Sequence, residues 1–458
     1  MIVNQKIFKA YDIRGEWNKE WDSKFVYRIG KSIYQHLKPK TVAIGYDMRD
    51  SSEEIFNQLS KSLTEQGVNI INLGLCGTEL TYFASCFLPE VDVSIMITAS
   101  HNLGKDNGMK ITIKNGIAIG VNSGLDKIRD FAISETQLNK NEQVGKIEPL
   151  NLWQQYKDKI FNIAKLNLEN LPRLKIVIDA GNGIGGYMFD QILNELPLEI
   201  IKMFWNPDGN FPNHLADPFQ EGNTKELKKR VIAENANFGI AYDGDGDRVF
   251  FIDNKGRYIP GYYFAALITD YILSQESNPK TETIAHDPRY YWATEEVIKK
   301  WGATPVKSKV GHTLIKKKMR EYDSIFCIEC SGHTFYREMN FVESSMLTTL
   351  LVIKLISEKG SFSSLTDYYF NNYPISGEIN FIVDNPQNIL DQLEHKYFHG
   401  KISKLDGVGI DFSHWRFNVR GSNTQPLLRL NIEAKTKELV NEKIEELKEL
   451  IGGTVADH

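Results

Sequence analysis

Six short apolar, β-branched segments punctuate this chain, and helical patterns separate them. That alternation confines most of the sequence to βαβ units and mostly parallel sheets. The strand candidates are Thr41–Tyr46, Val91–Ile97, Lys175–Ile178, Phe238–Tyr242, Thr283–Ala285 and Ser324–Ile328. Helices are expected over Lys24–Leu37, Ser52–Gln66, Lys225–Asn235, Ala293–Trp301 and Met346–Ser357. The six strands fall into three pairs. The first strand of each pair ends at an aspartate: Asp47, Asp179 or Asp287. The second runs into a polar loop: Thr98–Asn102, Asp243–Asp247 or Glu329–His333. Open α/β sheets bind ligands at the carboxyl ends of their strands, so each pair offers one functional loop.

The paired features lie roughly 45–65 residues apart, too far for a solenoid repeat. They suit three related α/β domains. A length of 458 residues gives about three domains at roughly 150 residues each. The chain after Asn371 reads differently. Gly377–Val383, Trp415–Val419 and Leu427–Ala434 look like strands, and Asn388–Tyr397 and Lys437–Leu450 look like helices. This is the pattern of a small separate α+β domain. Expected boundaries lie near Leu150, Asn254–Gly256 and Phe370–Pro374, which divides the chain into 1–150, 151–255, 256–370 and 371–458.

Hydrophobic residues at 41% and charged residues at 25% exclude disorder and low complexity. A net charge of −5 makes nucleic acid a poor partner, though a small phosphate can still meet a local cationic pocket. Four cysteines cannot build a disulfide framework and fit a reducing compartment. The N-terminus lacks the apolar stretch of a signal peptide, and no run of 18 or more apolar residues offers a membrane span. The expectation is a soluble, cytoplasmic, multidomain protein.

The loop Asp243-Gly-Asp245-Gly-Asp247-Arg248 carries the strongest chemical signal. Two like charges ~4 Å apart repel by ~4 kcal/mol at an effective dielectric of about 20. Three crowded carboxylates therefore need a divalent cation or strongly shifted protonation. All-oxygen ligation points to Mg²⁺, with Mn²⁺ or Ca²⁺ as alternatives. An EF-hand is excluded, because its sixth and twelfth loop positions would be Arg248 and Asn254. An aspartyl-nucleophile phosphatase fits less well, because Asp247 stands where Thr or Val is expected. A solvated acidic turn is the plain alternative, and the interleaved glycines and flanking apolar strands argue against it.

In Thr98-Ala-Ser100-His101-Asn102, the serine reads as a nucleophile or as a turn residue. Adjacent Ser100 and His101 are not expected to face each other, so a Ser-His hydrolase pair is not supported. Asn107-Gly108 is expected to turn the chain and deliver Lys110, a proton-transfer candidate if its pKa is depressed. Glu329-Cys-Ser331-Gly-His333 offers groups that read sugar hydroxyls. The overlapping Cys327-x-x-Cys330 lacks a second cysteine pair for zinc. Arg420-Gly-Ser422-Asn423-Thr424-Gln-Pro426, with Arg429, has the makings of a phosphate cradle or of a plain polar loop. Arg14 lies in what reads as an early turn, Tyr11–Gly15.

Together, and in this order along nearly the whole chain, these motifs resemble the α-D-phosphohexomutase superfamily, most closely its bacterial phosphomannomutase/phosphoglucomutase group. The resemblance implies four domains around a central cleft: a phosphoserine-loop domain, a metal domain, a sugar domain and a C-terminal phosphate domain. It implies that Ser100 is carried as phosphoserine and that Asp243, Asp245 and Asp247 hold Mg²⁺ together with one phosphoserine oxygen. His101 and Arg248 would contact the phosphoserine region. Glu329 and Ser331 would bind the sugar hydroxyls. Arg420, Ser422, Asn423, Thr424 and Arg429 would grip the non-reacting phosphate. Arg14, Lys110 and His333 would serve proton transfer and transition-state charge, with His312 and Arg289 as further ligand contacts.

The implied reaction interconverts hexose 6-phosphate and hexose 1-phosphate through a hexose 1,6-bisphosphate. Mannose is the expected sugar, with glucose beside it, and the protein a monomer or homodimer. A phosphoglucosamine mutase, a Mg²⁺-dependent sugar-phosphate phosphatase and a non-catalytic sensor are the alternatives. Leu103, Ile328, Gln425 and Glu343-Ser344-Ser345 depart from the family pattern without removing a proposed catalytic group. Asn423 favours the mannose/glucose group over the glucosamine enzymes.

Overall fold

The structure is a computed structural model that describes residues 2–134, 141–421 and 427–456. The chain forms two compact units. The first comprises Met1–Tyr258 and His333–Glu358, the second Ile259–Gly332 and Lys359–His458.

The first unit holds two mixed sheets. In one, the strands run in the order Ile13–Glu16, Asp106–Ile113, Val93–Ile97, Thr41–Tyr46, Asn69–Leu75 and Ile147–Pro149. The expected pair Thr41–Tyr46 and Val93–Ile97 lies side by side and parallel. Val93–Ile97 is buried at every residue, as a strand covered on both faces must be. The helix Ser23–Leu37 covers this sheet with Phe25, Val26, Ile29 and Ile33, which share one face at helical spacing. Asp22 caps its start by accepting from the Phe25 N–H, and Lys38 ends it in the left-handed conformation.

Two expected turns prove to be strand. Asn107-Gly108 lies inside Asp106–Ile113, and Arg14 lies on the edge strand Ile13–Glu16 paired with it. The glycine answers to close approach. A Cβ at Gly108 would fall 2.1 Å from the Ile13 carbonyl oxygen and 2.8 Å from that of Thr98.

The second sheet of this unit contains Val249–Asp253, Phe238–Tyr242, Lys175–Asp179 and Glu199–Met203, in that order. Again the expected pair, Lys175–Asp179 and Phe238–Tyr242, is parallel and adjacent. A short hairpin, Thr334–Tyr336 with Val342–Glu343, leads into the helix Ser345–Lys359.

In the second unit Thr283–His286 lies parallel to both Thr304–Lys307 and Phe326–Ile328. This is the third expected pair. The C-terminal part forms an antiparallel sheet in the order Lys401–Ser403, Val408–Asp411, Trp415–Gly421, Leu427–Ala434, Ile379–Ile382 and Thr454–Ala456. Its apolar face packs against the helices Pro386–Lys396 and Lys437–Ile451 through Phe417, Leu430, Ile432, Leu393 and Leu447. Among the described residues no helix is long and apolar enough to cross a membrane.

One buried carboxyl joins three segments of the first unit. Glu79, on the helix Thr78–Phe87, accepts from the Tyr156 hydroxyl, the Ser345 N–H and, at 3.1 Å, the Ser344 hydroxyl. Burial pushes its pKa from 4.5 up to about 7 against those hydrogen bonds. A raised folded-state pKa means that the folded protein holds the proton more tightly than the unfolded chain. The stability this provides is complete below about pH 4.5 and is lost progressively as pH rises through about 7. That window corresponds to about 3 kcal/mol. Glu79→Gln removes the titration, so urea unfolding is expected to show the variant gaining on the wild type by about that amount between pH 5 and pH 8. A constant difference between the two proteins across that range would rule the titration out.

Candidate active site

The Ser100 loop and the aspartate loop sit at the carboxyl ends of the two parallel strand pairs of the first unit. The Ser100 hydroxyl donates to Asp243 Oδ2 at 3.0 Å. Ser100 has φ of 50°, a left-handed conformation that costs a non-glycine residue on the order of 1–2 kcal/mol. Strain of this kind persists where the surroundings over-determine it, and it gathers at functional sites. It also corrects the expectation for the neighbouring histidine. The left-handed turn brings His101 Nδ1 to 3.1 Å from Ser100 Oγ, although the two residues are adjacent. Burial, then Arg248 and Arg14, holds the His101 pKa well below the usual imidazole value, so the ring is neutral.

Asp243, Asp245 and Asp247 are buried, and each offers an oxygen within 4.8 Å of the others'. Lys110 reaches into this cluster from the strand Asp106–Ile113, 2.5 Å from Asp245 Oδ2 and 2.6 Å from Asp247 Oδ2. Burial alone would lower the lysine pKa. The two carboxylates outweigh it and hold the pKa above its ordinary value. Lys110 is therefore a fixed cation here, and the depressed pKa expected of a proton-transfer lysine is absent. Burial, then the neighbouring aspartates, pushes Asp243 well up. Burial works on Asp245 in the same sense, but Lys110 overcomes it and holds Asp245 below the usual carboxylate range.

Gly244 lets the two loops meet, since a Cβ there would lie 2.3 Å from the Ser100 carbonyl oxygen. Arg248 donates from its backbone N–H to Asp243 Oδ1 and from Nε to His333 Nε2, at 3.1 and 3.0 Å. An arginine can only donate, so His333 Nε2 is unprotonated. Its Nδ1 lies 3.6 Å from Asp247 Oδ1. Arg14 donates to Asn102 Oδ1 at 3.0 Å and pairs with Asp12. The sequence-expected Ser100, His101, Lys110, Asp243, Asp245, Asp247, Arg248 and His333 are thus linked by direct contacts, and Arg14 joins them through Asn102 of the Ser100 loop.

Asp245 Oδ1 and Asp247 Oδ1 are buried and have no hydrogen-bond partner among the described residues. Two orphaned carboxylate oxygens beside Asp243 fit a hard divalent cation with oxygen ligands. Lys110 occupies the other oxygen of each carboxylate.

The second unit carries the remaining expected residues. Arg420 and Arg429 face each other across neighbouring strands. Like charges in that position repel. Glu378 relieves the repulsion, accepting from Arg420 Nη2 at 3.0 Å, with Arg429 Nη1 and Arg289 Nη1 each at 3.4 Å. Burial would raise the Glu378 pKa, but the three guanidiniums hold it below the usual range. Arg420 Nε and Arg429 Nε are buried without a hydrogen-bond partner among the described residues. Glu329 Oε1 accepts from the Gly311 N–H at 3.2 Å, next to His312, and lies 3.7 Å from Arg289 Nη2. Ser331 is half-buried in the same loop. Ser422, Asn423 and Thr424 lie outside the described residues.

Sequence reasoning missed Glu378, an isolated acidic residue just after an expected boundary. It also missed Arg49. The signal for Arg49 was present in the repetition of Asp47-x-Arg49 and Asp287-x-Arg289 after the first strand of two pairs. In both, the arginine N–H and Nε donate back to the aspartate.

Comparison with known proteins now decides the family. Models of the four domains of phosphoglucomutase/phosphomannomutase match residues 5–139 (alpha/beta/alpha domain I), 154–256 (domain II), 260–373 (domain III) and 378–450 (the C-terminal domain). The chain belongs to the phosphoglucomutase/phosphomannomutase family. It is 39% identical to a phosphomannomutase of Vibrio cholerae, over 97% of this chain and 98% of that protein. It is 37% identical to a Xanthomonas campestris protein called phosphohexose mutases, over 97% and 99%. A phosphoglucomutase/phosphomannomutase family protein of Burkholderia thailandensis superposes with a TM-score of 0.88 at 26% identity, covering 99% of this chain and all of that one. The chain is a phosphohexomutase, an enzyme of the isomerase class.

The aspartate cluster predicts a measurable metal site. Isothermal calorimetry is expected to show wild type binding Mg²⁺ and Asp245→Asn binding at least tenfold more weakly. The variant should also melt lower, because buried Lys110 loses one of its two counter-charges. Equal Mg²⁺ affinity in wild type and variant would remove Asp245 from the metal site.

Proposed function

We propose that this phosphohexomutase interconverts mannose 6-phosphate and mannose 1-phosphate, accepts the glucose phosphates as well, and carries the transferred group on Ser100. The observation that carries this reading is the Ser100 hydroxyl, held in a strained turn and aimed at Asp243 of a buried three-carboxylate loop. The phosphomannomutase relatives at 36–39% identity support the choice of sugar.

The chemistry follows from the groups present. Ser100, as phosphoserine, gives its phosphoryl group to the free 1- or 6-hydroxyl of a bound hexose monophosphate. The Oγ–P bond breaks, an O–P bond forms to the sugar, and the hydroxyl proton passes to a protein base. Arg14, Lys110 and His333 are the charged and titratable groups assembled at this loop for that proton and for the transition-state charge. Asp243, Asp245 and Asp247 would hold Mg²⁺, which when bound supplies positive charge to the phosphoryl oxygens. Arg248 stands beside Asp243 and adds a fixed cation there. His101, neutral and 3.1 Å from Ser100 Oγ, orients that oxygen.

In the second unit Glu329 and Ser331 read sugar hydroxyls, with Arg289 and His312 next to Glu329. Arg420 and Arg429 receive the non-reacting phosphate, together with Ser422, Asn423 and Thr424. After the first transfer the hexose 1,6-bisphosphate turns end for end. Its other phosphate then returns to Ser100, and the isomeric monophosphate leaves.

Intact-mass measurement and coupled isomerase assays test this reading together. Wild type is expected to carry a fraction with one phosphate and to turn over the mannose esters. Ser100→Ala should lose both the added mass and at least 10³-fold in kcat. Full activity of Ser100→Ala would end the mechanism. Turnover of the glucosamine ester alone would end the substrate assignment. Release of free phosphate without isomer would make the enzyme a phosphatase.

A further inference from the structure

We propose that Arg49 is a positioning residue for phosphoryl transfer, its guanidinium holding the backbone of the Ser100 loop in the conformation that aims the serine hydroxyl at Asp243. The proposal rests on the reading of Ser100 as the nucleophile.

Arg49 is 2% exposed and stands at the end of the helix-covered sheet, just past the strand Thr41–Tyr46. A guanidinium has five N–H donors in a rigid planar fork. All five find acceptors here. Nε pairs with Asp47 Oδ2 at 3.2 Å. Nη1 donates to the carbonyls of Leu103 and Asp106 at 2.6 and 2.9 Å. Nη2 donates to those of Ser100 and Asn102, both at 2.8 Å. Four of the five bonds therefore go to the backbone of one loop, the loop that carries the nucleophile.

The clamp is itself held. Asp47 Oδ1 accepts from the Arg49 N–H at 3.1 Å and from the Ser52 hydroxyl at 2.8 Å. The ring of Phe211 lies 5.2 Å from the guanidinium carbon. Nothing in this arrangement requires Arg49 to touch substrate.

The geometry has a consequence for the serine. Peptide planes are rigid and trans, so turning the Ser100 carbonyl toward Arg49 fixes the plane of the peptide that joins Ser100 to His101. Gly244 closes on the same carbonyl oxygen, where a Cβ would lie at 2.3 Å. The peptide is thus set between the guanidinium and the aspartate loop. On the amide side the Ser100 N–H donates to Thr98 Oγ1 at 2.8 Å, so both peptides that flank Ser100 are held and the residue keeps its φ of 50° between them. A lysine in place of Arg49 keeps the charge but has three donors and no plane, so it cannot hold four carbonyls at once.

The test compares wild type, Arg49→Lys and Asp47→Asn, with Ser100→Ala in parallel, all assayed well below their melting temperatures. Arg49→Lys is expected to lose at least 30-fold in kcat, while KM for the hexose monophosphate stays within threefold. Amide hydrogen exchange should speed up across 98–106 and stay unchanged in the strand Val93–Ile97. Asp47→Asn, which removes the anchor and leaves Arg49 in place, should give a smaller loss of the same kind. It also carries the test if Arg49→Lys does not fold. A kcat within threefold of wild type in the folded variants, or a loss expressed in KM alone, would overturn the clamp. Wild-type activity in Ser100→Ala would instead overturn the nucleophile on which the clamp depends, so the two failures read differently.

Discussion

Three buried carboxylates within five residues set the terms for everything around them. Asp243, Asp245 and Asp247 repel one another, and burial removes the water that would screen them. The fold must supply positive charge and fixed donors from other segments. Lys110 comes from the strand Asp106–Ile113, Arg248 from the next residue of the chain, and the Ser100 hydroxyl from the loop of the neighbouring sheet. The helix Thr78–Phe87 adds the Thr78 hydroxyl, which donates to Asp245. Two parallel strand pairs therefore share one electrostatic problem. Its solution places a serine hydroxyl against a buried carboxylate loop that could hold a cation.

The second unit solves the converse problem. Arg289, Arg420 and Arg429 gather around one carboxylate, Glu378. A single negative charge against three guanidiniums orients them without neutralising them. Glu329 and Asp287 engage Arg289 as well, which leaves the surplus positive charge with Arg420 and Arg429. That surplus suits a phosphate, and the buried Nε of each arginine still lacks a hydrogen-bond partner among the described residues. The chain's acidic net charge of −5 conceals this local inversion.

The strand pairs were legible because period and composition report burial directly. All three pairs are adjacent and parallel, and each polar loop follows the second strand of its pair. Strand ends moved by about two residues, as with Val91–Ile97 shortening to Val93–Ile97, because a strand ends where pairing ends and composition does not mark that point. The carboxylate cluster was legible because its like residues crowd in sequence, at Asp243, Asp245 and Asp247. What stayed hidden depends on partners distant in sequence. Glu378 is unremarkable until its three arginines are known. Arg49 was not singled out, because the carbonyls it holds lie about fifty positions further along the chain. Asn107-Gly108 read as a turn because glycine answers equally to a bend and to a close approach, and only the neighbouring strand shows which applies.

The segment Glu343-Ser344-Ser345, which departs from the family pattern, touches the site's foundations. The Ser345 N–H donates to buried Glu79, and its hydroxyl donates to the Gly246 carbonyl at 2.8 Å, inside the aspartate loop. Glu79 is the residue next to Thr78, which bonds Asp245 through both its N–H and its hydroxyl. The helix starts at Thr78 and at Ser345 therefore grip the same loop from two directions, with the Glu79 carboxyl tying them together. A residue without a side chain at 345 could make the backbone bond to Glu79 but not the bond to Gly246. Gly246 has φ of 73° and stands between Asp245 and Asp247 of the carboxylate loop. A hydroxyl that fixes its carbonyl also fixes the plane of the peptide that leads into Asp247. The departure thus acts on the aspartate loop through its backbone and leaves all three carboxylates in place.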